Sequence, residues 1–160
     1  MEYGPRALGN RSILYQATDP TVNDWLNERL NRTEFMPFAP ASLFEDRHKC
    51  YKNVGENFFP AMFMTITFDC TEELKRTCPA VVHIDSTARP QLVTENSNPS
   101  FYKIIKEYKK RTGLLSIINT SFNMHEEPIV CTPFDAIRAF NLGHLDYLAM
   151  SDFLVHPKEQ

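Results

Sequence analysis

Three groups of residues in this sequence carry side chains suited to holding an anion. Arg6 and Arg11 lie in Gly4-Pro5-Arg6-Ala7-Leu8-Gly9-Asn10-Arg11-Ser12, whose glycines let backbone amides approach a ligand closely. Guanidinium forks match phosphate or carboxylate oxygens in bidentate fashion. His83-Ile84-Asp85-Ser86-Thr87-Ala88-Arg89 adds a third cation, Arg89, beside the hydroxyls of Ser86 and Thr87. Asn119-Thr120-Ser121-Phe122-Asn123 follows an apolar run and supplies short amides and hydroxyls where core packing has no use for them. Together these groups suit a phosphate or acyl phosphate held while it reacts. The first and third come from opposite ends of the chain, so a single site requires a fold that joins them.

Each group also has a plainer reading. The arginine turn can be an ordinary surface loop, and Asp85 can simply satisfy amides in a hydrogen-bonded turn. His83 is as well explained by structure as by proton transfer. Ser121 lacks the G-x-S-x-G setting and an assignable His/Asp partner of a covalent nucleophile. The phosphate-loop pattern G-x-x-x-x-G-K-[ST] is absent. His125-Glu126-Glu127 lacks metal-ligand spacing, so we expect a solvated loop there and no metal site in this chain.

The elements that must place these groups show in periodicity and caps. A strand is expected over 12–16. Asp19-Pro20 then caps a helix over 20–31, with Val22, Trp25, Leu26 and Leu30 facing a core. Phe35-Met36-Pro37-Phe38-Ala39-Pro40 reads as extended and buried, with an aromatic able to line an adenine or acyl pocket. A charged helix over 45–52, a loop over 54–60 and an alternating strand over 61–69 follow. Residues 71–77 form a helical turn stopped by Pro79, with strands over 81–84 and 89–94. If the first of these ends a parallel sheet strand, Arg89 stands beyond its carboxyl end, where ligands gather in open α/β sheets. Asn98-Pro99 opens the clearest helix, over 99–112, closed by Gly113. The unbroken apolar run over 114–119 predicts a strand covered on both faces. A strand near 128–131, a helix opened by the capping box Thr132-Pro133-Phe134-Asp135, and strands over 146–150 and 153–156 complete the chain. Trp25, Phe58, Phe59, Met62 and Met64 read as core. The mixture indicates an α/β (α+β) class with a mixed sheet and flanking helices.

A length of 160 residues fits one domain. The charge is near balance, with Lys+Arg 17 against Asp+Glu 20, which gives bulk nucleic-acid binding no support. Lys103, Lys106, Lys109, Lys110 and Arg111 form a basic helix face that is more often solvated than RNA-facing. The chain holds no apolar run long enough for a membrane span and no signal-peptide pattern. Cys50, Cys70, Cys78 and Cys131 show no C-x-x-C spacing and fit a reducing cytoplasm. Met1 leads directly into the arginine turn, so we expect one domain, residues 1–160, cut from a longer protein.

At these motifs the chain resembles the C-terminal domain of NodU/CmcH-type O-carbamoyltransferases. The resemblance rests on 2–12, Pro37-Phe38-Ala39-Pro40, 83–89, 119–123 and Glu127-Pro128-Ile129-Val130-Cys131-Thr132-Pro133, in the family's order across nearly the whole chain. It implies a YrdC-like twisted mixed sheet, related to the domain that makes threonylcarbamoyl-adenylate. It implies an enzyme domain that binds carbamoyl phosphate and ATP, the latter a substrate accompanied by Mg, and forms carbamoyl-adenylate with release of pyrophosphate. An N-terminal actin-like domain, carrying a metal and a second nucleotide site, then moves the carbamoyl group to an acceptor hydroxyl. Carried over by motif, Arg6 and Arg89 bind phosphate, and Asn119 and Ser121 contact the carbamoyl-adenylate. Arg11, Arg32, Thr87 and Asn123 join them as substrate-binding residues. Leu30 and Met36 stand where many family members carry Lys and Arg, and His48, Lys49 or Lys52 are the candidates to replace that charge. The competing expectation is a non-catalytic nucleotide- or RNA-binding module of the same fold.

Overall fold

The computed structural model describes residues 6–30, 37–56 and 58–158. In chain order its elements are β1 (Ser12–Gln16), α1 (Val22–Arg29), β2 (Ala39–Leu43), α2 (Arg47–Cys50), β3 (Phe68–Asp69), α3 (Glu72–Thr77), β4 (Thr87–Ala88), β5 (Gln91–Val93), α4 (Pro99–Thr112), β6 (Ser116–Ser121), α5 (Pro133–Leu142), β7 (Leu148–Met150) and β8 (Phe153–Val155). Single 3₁₀ turns cover Phe44–Asp46, Phe59–Phe63 and Pro79–Val81.

Four strands form the central sheet in the order β1-β6-β2-β5. β6 runs antiparallel to β1, with Ser12 opposite Ser121, and antiparallel to β2, with Ala39 opposite Asn119. β2 and β5 are parallel, with Ala41 opposite Gln91. β1, β2 and β5 therefore share one direction and β6 opposes it, giving the mixed α/β sheet with flanking helices that the sequence leads one to expect. Side chains alternate across a strand, so neighbours on β6 face opposite ways. Ile117 packs with Ala41, Leu43, Val93 and the α4 residues Phe101, Tyr102 and Ile105. Ile118 packs on the other face with Ile13, Leu26, Leu30, Ala139 and Phe140. Both faces are covered, which is why the run reads as unbroken apolar sequence.

The best-matched elements are those closed by local hydrogen bonds. In α4 the Asn98 side chain accepts from the Phe101 amide at 3.1 Å, and Gly113 ends the helix at φ 75°. In α5 both bonds of the Thr132–Asp135 capping box form. α3 lies over Glu72–Thr77 with the Thr71 hydroxyl as its cap.

Other expectations are corrected. The strand over 61–69 shrinks to Phe68–Asp69, because Phe59–Phe63, with Pro60 near its start, forms a 3₁₀ turn and Met64 adopts a left-handed φ of 56° that no ladder accommodates. Phe59 is 64% exposed rather than core. The strand over 81–84 is instead the end of a 3₁₀ turn and a loop; the short strand lies at Thr87–Ala88, paired with β3. Residues 128–131 form no strand. α1 begins at Val22, two residues late, because the Asp19 carboxylate accepts from both the Thr21 amide (2.9 Å) and its hydroxyl (2.8 Å) and holds the preceding turn. β2, buried along its whole length, is an inner strand where the sequence suggested only an extended segment. Pro40 is tolerated near its start, where a missing N–H costs least.

Candidate functional site

Sheet direction decides where the motifs meet. Because β6 opposes its neighbours, its carboxyl end lies beside the amino ends of β1, β2 and β5. The residues leading into those three strands, Arg6-Ala7, Pro37-Phe38 and Arg89, therefore gather around the residues that finish β6. Together with Ala39, Met64, Asn119, Thr120, Ser121, Asn123, His125 and Glu126 they line one cavity of about 210 Å³. Arg89 is thus not beyond the carboxyl end of a strand over 81–84, as the sequence suggested. It precedes β5, and the site sits at the amino edge of a mixed sheet rather than at the carboxyl edge of a parallel one.

Arg6 and Arg89 are both half-buried, and neither forms an ion pair with a carboxylate among the described residues. Burial, and then the neighbouring Arg6 guanidinium, press Arg89 below its ordinary value. Two like charges facing one partly dry cavity repel each other, and an anion between them converts that repulsion into attraction.

The segment carrying Arg6 is tied to the sheet through buried amides. Gln91, 4% exposed, donates from Nε2 to the Leu8 carbonyl at 2.9 Å and accepts through Oε1 from Asn119 Nδ2 at 2.7 Å. Asn119 Nδ2 also donates to the Ala7 carbonyl at 3.1 Å. Asn98 Nδ2 donates to the Leu8 carbonyl and to Asn10 Oδ1. Gly9 completes the turn: its φ of 103° suits glycine, and a Cβ there would lie 2.2 Å from the Phe101 ring. On the far wall, Asn123 Nδ2 donates to the Met124 and Glu127 carbonyls, both at 2.9 Å, and Arg138 grips the Glu127 carboxylate with both guanidinium nitrogens.

Of the residues singled out in sequence, Arg6, Arg89, Asn119, Ser121 and Asn123 come together. Arg11 does not line this cavity; it borders a separate apolar groove with Tyr15, Trp25 and Tyr147. Thr87 is not in the lining either: its hydroxyl donates to Asp85 at 2.7 Å and meets His83 Nδ1 at 3.0 Å, the plain hydrogen-bonded turn. Arg32, Gly4, Pro5 and Met36 lie outside the described residues. Leu30 is buried in the core at 1% exposure, and Lys49 and Lys52 pair with Asp46 and Glu72, so no replacement cation reaches the lining from these. His125 and Glu126, expected to be plain solvated loop, border the cavity. Gln91 and Asn98 were missed. A lone glutamine within Pro90-Gln91-Leu92-Val93 is the signal that could have drawn notice, since a buried strand position keeps an amide only when it has partners.

No group of three or more His, Cys, Asp or Glu suited to a metal occurs among the described residues. No helix among them is long and apolar enough to cross a membrane.

The fold is a mixed α/β sheet with flanking helices that gathers arginines and side-chain amides around one cavity at its amino edge. The chain belongs to the Carbamoyltransferase C-terminus family, whose model matches residues 1–157. An uncharacterized protein of Methanocaldococcus jannaschii is 42% identical over 159 residues, covering 99% of this chain and 26% of its own length. Nodulation protein NolO of Bradyrhizobium diazoefficiens is 38% identical over 158 residues, covering 98% of this chain and 29% of its own. Nodulation protein U of Rhizobium tropici is 36% identical, covering 92% and 24%. The chain thus spans about a quarter of the length of these relatives. A crystal structure of full-length HypF in its phosphate- and nucleotide-bound form superposes with a TM-score of 0.60 at 20% identity, over 82% of this chain and 20% of that one, a likeness of fold.

Proposed function

We propose that this domain binds carbamoyl phosphate between Arg6 and Arg89 and prepares the carbamoyl group for transfer as carbamoyl-adenylate. The observation that carries the reading is the pair of half-buried arginines, without carboxylate partners among the described residues, facing one cavity lined also by Ser121 and two asparagines. A volume of about 210 Å³ suits a small acyl phosphate rather than a whole nucleotide, so the adenosine part of ATP would extend beyond it. HypF, which shares the fold, was captured with phosphate and nucleotide bound.

In this scheme water cleaves carbamoyl phosphate to carbamate and inorganic phosphate. One carbamate oxygen then bonds to the α-phosphorus of ATP while the bond from that phosphorus to the pyrophosphate oxygen breaks. The electron pair leaves with pyrophosphate. No protein nucleophile is required. The arginines act by position and charge, meeting negative charge as it develops. Ser121, at the end of β6, contacts the bound group as a polar neighbour. Among the described residues Glu126 is the single carboxylate in the lining, so a magnesium ion would arrive with the nucleotide phosphates. Transfer to an acceptor hydroxyl would fall to an N-terminal actin-like partner domain, of the kind the family resemblance implies.

The basic face of α4 favours this over an RNA-binding module. Lys109 is committed to buried Asp46, and Lys110 and Arg111 to Glu107.

The test is Arg89→Ala in the full-length protein. Losing one preorganised donor costs about 2.7–4 kcal/mol of barrier, so carbamoyl-phosphate-dependent exchange of pyrophosphate into ATP should fall roughly 100- to 1,000-fold while the melting temperature holds. Exchange at the original rate in a folded variant would retire the assignment.

A further inference from the structure

Cleavage of carbamoyl phosphate by water sets a proton free, and a group in the cavity has to take it. Arginines and side-chain amides cannot, and hydroxyls do so only with a base behind them. Among the described residues of the lining that leaves His125 and Glu126. The loop that carries them is held from several sides. The Glu127 amide donates to the Met124 carbonyl at 3.2 Å, closing a β-turn with His125 and Glu126 at its two central positions. Asn123 binds the carbonyls at both ends of that turn, Arg138 grips Glu127, and the His125 amide donates to the Leu30 carbonyl at 3.1 Å.

Glu126 has a φ of 61°, in the left-handed region. Glycine is the usual third residue of a turn with positive φ there, and a side chain at that place costs stability. The carboxylate it brings stands 3.9 Å from His125 Nε2. The imidazole is the more sheltered group, its side chain 32% exposed against 85% for Glu126. The other charges bordering the cavity are the cations Arg6 and Arg89, and Leu30 meets the loop through its carbonyl. An imidazolium forming in one cavity with two guanidiniums is disfavoured, and a carboxylate beside it offsets that repulsion.

We propose that His125 is the general base of the cleavage step and Glu126 the positioning residue that steadies its charged form. This deepens the carbamoyl-phosphate reading and rests on it. The water oxygen bonds to phosphorus while the bond from phosphorus to the bridging oxygen breaks, and that electron pair leaves with carbamate. One water proton passes to His125 and the other stays on the phosphate, which departs as hydrogen phosphate. His125 then gives its proton to solvent. The later attack of carbamate on ATP releases no proton, so it makes no demand on His125.

Two assays on the full-length protein separate the steps. Phosphate release from carbamoyl phosphate, with ATP present, reads the cleavage. Pyrophosphate exchange into ATP in ammonium bicarbonate, which holds carbamate at equilibrium, reads the later step alone. His125→Gln, with His125→Asn as the second variant should the first not fold, should slow phosphate release roughly 100-fold. Carbamate-supported exchange should fall at least about tenfold less than that. Glu126→Gln should move the acid limb of the pH–rate profile for phosphate release to lower pH, because the imidazolium loses its anionic neighbour. Phosphate release at the wild-type rate in a folded His125 variant, or a loss of equal size in both assays, overturns the inference and leaves the carbamoyl-phosphate reading intact. An unmoved acid limb in Glu126→Gln overturns the part given to Glu126. Failure of the wild type in either assay overturns the carbamoyl-phosphate reading itself, and the inference falls with it.

Discussion

Asp85 and Arg89 lie close to His83 in the segment that leads into β5, and both act on the His83 proton. Burial lowers the His83 imidazole below its ordinary 6.5, Asp85 opposes that, and Arg89 adds to it. The folded protein therefore takes up this proton less readily than the unfolded chain does. Above about pH 6.5 the group contributes nothing to the pH dependence of stability. As the pH falls below that value, protonation favours the unfolded state and stability is lost toward the lower folded value. Replacing His83 with Gln, which can still reach the Thr87 hydroxyl, should flatten the decline in melting temperature just below about pH 6.5 without altering it near pH 8. An identical slope in His83→Gln would show that the histidine titrates as it does in the unfolded chain. Arg89 belongs to the same microenvironment, so bound phosphate should steepen this decline only if it leaves the site on acidification. The residue types of the site were legible in sequence because arginine, asparagine and serine at 6, 89, 119 and 121 have few other reasons to cluster in motifs. Gln91 was not, because its value lies entirely in partners 28 and 83 residues away.

Elements closed by their own hydrogen bonds were the readable ones, and they also hold the site in place. Asn98 illustrates both roles: one end of its amide caps α4, and the other reaches the Leu8 carbonyl and Asn10, so the helix start and the arginine turn share a side chain. Asn98→Ala should cost about 1–2 kcal/mol of stability through the lost cap, a fall of roughly 2–8 °C in melting temperature. Asn98→Ser should restore most of that, because serine caps nearly as well, yet it cannot span to residue 8. Anion affinity should therefore stay lowered in the serine variant; wild-type affinity there would mean the turn needs no tie from α4. The elements that were misread depend on distant pairing. The alternation over 61–69 has no partner strand beyond Phe68–Asp69, whereas Ala39–Leu43, weakened on paper by Pro40, is strand because β5 and β6 flank it.

Across the whole molecule the cysteines report on the core. Cys50, Cys70 and Cys78 are buried and Cys131 is exposed, all as free thiols. Burial pushes Cys50 up to about 12 and Cys70 up to about 11, and raises Cys78, so little reactive thiolate forms at any of them in the fold. A thiol reagent at mild pH should modify one cysteine of the native protein and four after unfolding; fast reaction of a second would mean the α2–α3 region opens locally. The sheet's layout has a larger consequence. Composition, caps and motif order were enough to specify an α/β class, the helices α3, α4 and α5, and the residue types suited to an anion, because each depends on neighbours within a turn or two along the chain. Which of those residues share a cavity was decided by the opposed direction of β6. That single antiparallel alignment brings the end of one strand to the beginnings of three others, admits Arg6 and Arg89, and leaves Arg11 and Thr87 outside, since hydrogen-bonded register between segments a hundred residues apart has no signature in local sequence.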